Sequence, residues 1–214
     1  MTPADYDAWY DTPRGRWIGE TEYRLLRELL APQADERILD VGCGTGWFAR
    51  QLAQRENTHL TGIDLAPASL VFARTRAPEA SYLAADAQAL PFADASFDKV
   101  MSITALCFIP DWPHALAEII RVCRTRFVVG LLNRHSLLWR DKGRHGGSGA
   151  YRGAYWHTAD EVCRALAALP VNDISVRTAV MLPSGTLLAR QVEAVAGNRT
   201  PFGSFLAIAG NKAS

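Results

Sequence analysis

The stretch "ILDVGCGTGWFA", residues 38–49, constrains the chain more than any other: an apolar run enters Gly42, Gly44 and Gly46 and passes straight into a helical pattern. Glycine accepts positive φ and lets backbone approach closely, and a helix N-terminus presents unpaired N–H groups. A strand that ends this way is shaped to hold a polar ligand at its carboxyl end. The dinucleotide spacing G-x-G-x-x-G is not met, because Trp47 stands where the third glycine belongs, and the Gly-Lys-Ser/Thr of a phosphate-binding loop is absent. A pyrophosphate ligand is disfavoured.

Around this turn, short β-branched runs alternate with helical patterns. "ERILDVG", "HLTGID", "SYLAAD", "FDKVMSIT" and "RFVVGLL" read as strands, and "GWFARQLAQR", "PASLVFARTR" and "DWPHALAEIIRVCR" as helices, with Asp111 able to cap the last. Repeated β-α-β units predict a parallel sheet with helices on both faces. The last third adds a helix "TADEVCRALAAL" with a capping box at Thr158 and Glu161, a strand "VNDISVRTAV", a helix "GTLLARQVEAVAG" and a strand "SFLAIAG", which brings the strands to seven. Asp64 ends the second strand, where a carboxylate can accept from both hydroxyls of a ribose, and Asp86 ends the third. Glycine turn, ribose acid and a third polar position at one sheet edge describe a nucleoside pocket.

With 214 residues, 49% of them hydrophobic, the chain can build one full-sized core, and a single domain over 1–214 is expected. Lys plus Arg (23) balance Asp plus Glu (22), so no bulk field argues for nucleic acid or an acidic membrane. No apolar run is long enough to span a bilayer and the N-terminus lacks an apolar leader, so a soluble cytoplasmic protein is expected. Cys43, Cys107, Cys123 and Cys163 are scattered, which suggests neither a metal site nor a disulfide framework.

These motifs, "ILDVGCGTG", "GIDLAPASL", "AADAQALPFADASFDKV", "LCFIPD" and "YRGAYWHTADEV", stand in order over residues 36–168. The chain thereby resembles the class I S-adenosylmethionine-dependent methyltransferases, in particular the small-molecule branch related to ubiquinone/menaquinone C-methyltransferases (methyltransferase type 11 domain). The resemblance implies an α/β, Rossmann-like, seven-stranded mixed sheet of order 3-2-1-4-5-7-6, its last strand antiparallel. It implies S-adenosyl-L-methionine as cofactor, with Asp40, Gly42, Cys43, Gly44 and Gly46 at the methionine moiety. Asp64 and Leu65 then take the ribose, Asp86 and Ala87 the adenine edge, and Ile103 or Thr104 lies beside the sulfonium. One departure is visible: "VCRTRFVVG" replaces the usual Pro-Gly-Gly turn before the fifth strand.

Methyl transfer from a sulfonium is an in-line displacement in which the protein mainly aligns the reactants and excludes water, so no catalytic motif is required. A base is needed only where the acceptor must lose a proton, and among the histidines His157 is the candidate. Cys107 has no neighbour that would activate it as a nucleophile. Phe108 is read either as a wall of the acceptor pocket or as core.

The N-terminal cap, 1–31, places Tyr6, Trp9 and Tyr10 on one helical face, then breaks at Pro13-Arg14-Gly15 before a second helix. It reads either as an aromatic packing face or as a lid, with Tyr10 or Trp17 covering the sulfonium and Arg14 or Arg16 meeting the methionine carboxylate. Residues 133–157 form a basic, glycine-rich insertion in which Arg134, Arg140, Lys142, Arg144 and Arg152 face Asp141 alone, a net +4 that leaves −3 for the rest. A loop this long is usually functional or disordered. It is read as a substrate lid with Arg152, Tyr155 and Trp156 as contacts, favouring an anionic or aromatic small-molecule acceptor. An RNA or protein methyltransferase and a non-catalytic cofactor-binding module are the alternatives, with no nucleic-acid partner expected and the oligomeric state open.

Overall fold

A computed structural model describes residues 2–196 and 200–213. Two helices, α1 (Pro3–Trp9) and α2 (Pro13–Leu30), precede the sheet. Then follow β1 (Arg37–Val41), α3 (Trp47–Glu56), β2 (His59–Asp64), α4 (Pro67–Arg76), β3 (Ser81–Ala84) and β4 (Phe97–Ile103). The second half runs α5 (Trp112–Val122), β5 (Cys123–Leu132), α6 (Ala159–Leu166), β6 (Val171–Ala179), α7 (Leu187–Ala196) and β7 (Phe205–Lys212). The strands form one sheet of order β3-β2-β1-β4-β5-β7-β6. The first five are mutually parallel, and β7 is antiparallel to both β5 and β6. Among the described residues no helix is long and apolar enough to cross a membrane.

The central strands are apolar on both faces because helices cover both. Ile38, Leu39 and Val41 of β1 and Val128 and Val129 of β5 are fully buried, and the apolar face of α5 (Leu116, Ile119, Ile120) closes one side. On the other side lies α2, whose Leu25, Leu26, Leu29 and Leu30 pack with Ile38, Met101 and Val128. Burying one such leucine stabilises by about 1.5–3 kcal/mol, and truncating it to alanine costs about 2–5 kcal/mol.

Three local expectations are corrected. Pro13 does not break a helix but opens one: Thr12 caps α2, with Pro13 in the first turn, where its missing N–H costs nothing. Gly15 lies inside α2 because a Cβ there would overlap the Trp9 carbonyl. Helix α5 stops at Val122 rather than running through "CR", and β5 begins at Cys123 with no intervening turn, which accounts for the absent Pro-Gly-Gly.

The cap is fastened through a buried carboxylate. Asp7 of α1, 3% exposed, accepts from Arg50 of α3 at 3.2 Å and lies 3.5 Å from Arg76 of α4. The insertion is fastened at its base: Asn133 bridges to His157, Arg134 N–H donates to the His157 carbonyl, and Asn133 Nδ2 donates to the carbonyls of Pro201 and Gly203.

Candidate active site

A cavity of about 320 Å³ opens at the carboxyl ends of β1, β2 and β4. Its floor is the glycine turn, with Asp40, Gly42, Cys43, Gly44 and Thr45. Asp64 and Leu65 form one flank, Ala85 and Ala87 the next, and Ile103, Thr104 and Ala105 the third. Tyr6, Tyr10, Trp47, Phe48, Phe108 and Ile109 make up the apolar wall.

Backbone geometry explains the turn. Gly42 has φ +75°, and a Cβ there would overlap the Ala105 methyl, so a larger residue is excluded on two counts. Gly44 has φ +54° and nothing within 4 Å of where its Cβ would stand, which leaves bare backbone facing the cavity. The N–H groups of Gly42 and Cys43 both donate to the Ile63 carbonyl at 2.8 Å, pinning β1 to β2 at this edge. Asp64 is held by two backbone donors at 2.8 Å, Gly44 to one oxygen and Ala66 to the other. Each carboxylate oxygen keeps a lone pair for a further donor.

Asp40 is the electrostatic anomaly. It is 2% exposed, and its Oδ1 has no hydrogen-bond partner among the described residues. Burial, and then the nearby Asp64 carboxylate, raise its pKa to about 8. A buried carboxylate left unsatisfied is costly unless a donor or cation meets it, and the cavity is where one can enter. Thr104 adds backbone strain, with φ +58° at a non-glycine residue, a conformation that recurs at functional sites.

The aromatic wall joins cap to turn. The Tyr10 ring stacks on Trp47 with centroids 4.4 Å apart at 15°, and Phe48 meets both rings edge-on. Trp47, read from sequence only as a missing glycine, is therefore the platform on which the cap rests. Thr45, Trp47, Phe48, Ala85, Ala105, Ile109 and Tyr6 line the cavity without having been assigned to it. Ala85 had a usable signal, since it adjoins Asp86 at the end of β3.

Of the expected cofactor residues, Asp40, Gly42, Cys43, Gly44, Asp64, Leu65, Ala87, Thr104 and Tyr10 converge on the cavity. Gly46 lies behind it, where a Cβ would press on Ala73 and Tyr82 at 3.1 Å. Asp86 turns into its own loop and accepts from the Gln88 N–H, so its neighbours Ala85 and Ala87 line the wall instead. Trp17 lies elsewhere, in a surface cleft with Glu20, Arg24 and Arg55 and beneath Arg190. Arg14 donates to the Pro183 carbonyl, which ties the cap to the β6–α7 loop, and Arg16 to the Asp11 carbonyl within the cap, so protein carbonyls take both side chains.

Of the expected acceptor contacts, Phe108 lines the cavity and is 50% exposed. Trp156 is a core residue beside Leu138 and Val162, so it is not a surface contact. His157 is 1% exposed and edge-on to Trp112, with neither ring nitrogen partnered among the described residues. Burial lowers its pKa, and it does not line the cavity, so no proton from an acceptor there reaches it directly. Arg152 is exposed away from the cavity lining. Tyr155 is exposed, but its N–H donates to the Cys107 carbonyl at 2.7 Å, which ties the insertion to the turn carrying Phe108. The Cys107 thiol is buried, accepts from the Leu132 N–H and is pushed up to about 12, so no reactive thiolate forms there.

The comparisons with known proteins point one way. A methyltransferase-domain family model matches residues 38–126. The O-methyltransferase rstn1 of Aspergillus nomiae is 40% identical over 125 residues, 54% of this chain and 56% of that protein. A malonyl-[acyl-carrier protein] O-methyltransferase of Erwinia pyrifoliae is 39% identical over 129 residues, 56% of this chain and 48% of that one. The chain thus spans about half the length of these curated relatives. A solved structure from Thermotoga maritima, described as a SAM-dependent methyltransferase and possible histamine N-methyltransferase, superposes with TM-score 0.78 at 25% identity, covering 98% of this chain and 95% of that one. Likeness to a methyltransferase domain over residues 38–126, which hold the strands of the cavity floor, thus coincides with likeness of the whole fold to a solved structure described as a SAM-dependent methyltransferase.

Proposed function

We propose that the protein transfers the methyl group of S-adenosylmethionine to a small-molecule acceptor at this cavity. The observation that carries the reading is the partnerless Asp40 oxygen at a floor that also offers the bare backbone of Gly44 and the fixed Asp64 carboxylate. These groups fit the cofactor. Asp40 meets the methionine ammonium, the glycine turn accommodates the amino-acid end, Asp64 accepts from the ribose hydroxyls, and Leu65, Ala85 and Ala87 flank the base. When bound, the cofactor supplies an activated methyl group on sulfonium. The chain's own work is alignment: Ile103 and Thr104 fix one side of the reacting region, and Tyr6, Tyr10, Phe48 and Phe108 exclude water and accommodate the acceptor.

An acceptor with an aromatic or apolar body is supported by those rings. Its anionic character is not, because Arg152 and the other basic residues of the insertion stand off the cavity lining. Calorimetry with S-adenosylmethionine and S-adenosylhomocysteine tests the cofactor; folded protein that binds neither refutes the reading. Incubation with labelled donor and a metabolite extract identifies the acceptor, and label found only in RNA or protein refutes the small-molecule assignment.

A further inference from the structure

Helix α7 presents its apolar side to solvent. A surface helix ordinarily buries its apolar stripe and exposes its charges. Here Ala189 is buried, and the helix's one carboxylate, Glu193, reaches inward to accept from the Val180 and Met181 N–H groups at 3.0 and 2.8 Å. At 3.6 residues per turn, Leu187, Leu188, Gln191, Ala194 and Val195 share the outer side, all exposed and none charged. Leu187 is 79% exposed and Val195 75%, so these side chains project from the surface rather than line a groove. Phe202, in the connection from α7 to β7, is exposed as well.

The same edge of the sheet carries the charge of the insertion. Leu132 of β5 and Ala179 of β6 both stand opposite Phe205 of β7, so the insertion leaves, and the α7 segment leaves and returns, at the edge where the cavity opens. Hydrogen bonds hold these pieces together. Asn133, at the base of the insertion, donates to the carbonyls on either side of Phe202, and the Tyr155 N–H donates to Cys107, next to the cavity-lining Phe108. The insertion is folded back on itself, the Ser148 N–H donating to the Lys142 carbonyl at 3.0 Å and the Gly153 N–H to that of Gly146 at 2.9 Å. Its ion pairs among the described residues are Arg134 with Glu161 and Lys142 with Asp141. Arg140, Arg144 and Arg152 are exposed with no carboxylate partner among the described residues, Arg144 lying over the Trp139 ring.

We propose that this edge docks on the surface of an anionic bilayer, with the outer side of α7 and Phe202 entering the headgroup layer while Arg140, Arg144 and Arg152 meet lipid phosphates. Exposed apolar side chains and unpaired cations on one edge are the two components of interfacial attachment, the first acting through buried area and the second through attraction to a negative leaflet. A lipid surface suits them better than a folded partner does. Its charged groups rearrange around cations spread over irregular turns, whereas a protein must offer a fixed complement. The near-neutral total of +1 is no obstacle, because charges beyond a Debye length of about 8 Å are screened and the local excess dominates. Docked in this way, the cavity mouth opens against lipid, where molecules with an apolar body concentrate.

Vesicle co-sedimentation of the full chain tests this, with vesicles of phosphatidylcholine alone and of phosphatidylcholine containing about one-third phosphatidylglycerol. The wild type is expected to bind the anionic vesicles about tenfold more tightly than the neutral ones at low salt, and to lose most of that preference in about 0.5 M NaCl, where screening shortens the reach of the cations. Arg140→Gln, Arg144→Gln and Arg152→Gln together are expected to abolish the preference for anionic vesicles. Leu187→Ser with Leu188→Ser is expected to weaken binding to them about tenfold while leaving the salt dependence in place. Both variants should melt as the wild type does, since every replaced side chain is exposed, which separates lost docking from lost folding. Equal binding to the two kinds of vesicle, or binding unchanged in either variant, overturns the proposal. So does sedimentation without lipid that shows a concentration-dependent dimer abolished by the leucine pair, which assigns α7 to a second copy of the chain.

Discussion

The two sides of the cavity hold their polar groups by different means. On the sheet side, Asp40 and Asp64 occupy strand ends whose positions are set by register, Asp40 opposite Gly62 and Asp64 opposite Ala84, and backbone N–H groups fix the Asp64 oxygens. On the cap side, Tyr6 of α1 and Tyr10 just after it belong to a segment held to the body by side chains, through ring packing on Trp47 and Phe48 and the Asp7 pairs with Arg50 and Arg76. Under the proposed function, the sheet side receives the cofactor, the part of the reaction that does not change with the acceptor. The cap side is free to vary with the acceptor, because no ladder hydrogen bond depends on its residues.

That contrast can be broken most forcefully at Asp7. Asp7→Ala leaves Arg50, whose side chain is 11% exposed, as an uncompensated buried charge, and is expected to cost about 3–5 kcal/mol, read as a lowered urea midpoint. If the loss is far smaller, the cap is not docked through this carboxylate.

On the sheet side, Asp64→Ala removes the acceptor of two backbone N–H groups and the proposed ribose contact. S-adenosylhomocysteine affinity is expected to fall about 10- to 100-fold in calorimetry, the range for hydrogen bonds to a charged group. An effect below threefold places the ribose elsewhere.

A third measurement compares the two sides through pH. Asp40 and Glu22 both have folded pKa values of about 8, raised from 3.8 and 4.5, so across that interval the folded state holds protons that the unfolded chain releases. Their contribution is fully present below about pH 4 and is lost as pH rises through 8. Asp40→Asn and Glu22→Gln are each expected to be more stable than wild type at pH 8, by about 1–2 kcal/mol after allowance for solvent screening, with the gap closing at pH 4. Thermal melts at the two pH values check this, and a gap independent of pH refutes it.

The smallest effect is expected at the insertion. Neutralising Arg140, Arg144 and Arg152 together should change acceptor KM less than threefold and leave cofactor affinity untouched, because none of the three lines the cavity. Steady-state kinetics decides, and a tenfold rise in KM would restore the insertion as an anion-binding lid.

Legibility followed the same division. Strand and helix patterns in the first two-thirds placed β1 to β4 within three residues, because periodicity and turn residues are local. The strand-end acids were legible for the same reason. Asp86 was the exception: its position at the sheet edge was readable, but its side chain is spent on Gln88. Trp156, expected as an acceptor contact, and His157, expected as a candidate base, sit among polar, glycine-rich neighbours in sequence, and only folding buries them, Trp156 in the cluster with Leu138 and Val162 and His157 against Trp112.

The sequence by itself determined the alternating α/β layout, the glycine turn and the carboxylates at the strand ends, since each follows from spacing along a few consecutive residues. Only the tertiary structure decided that Trp47 carries the cap, that the basic insertion keeps its charges off the cavity, and that His157 is buried against Trp112. These depend on which face of each helix meets the sheet, a choice made by packing between segments far apart in the chain.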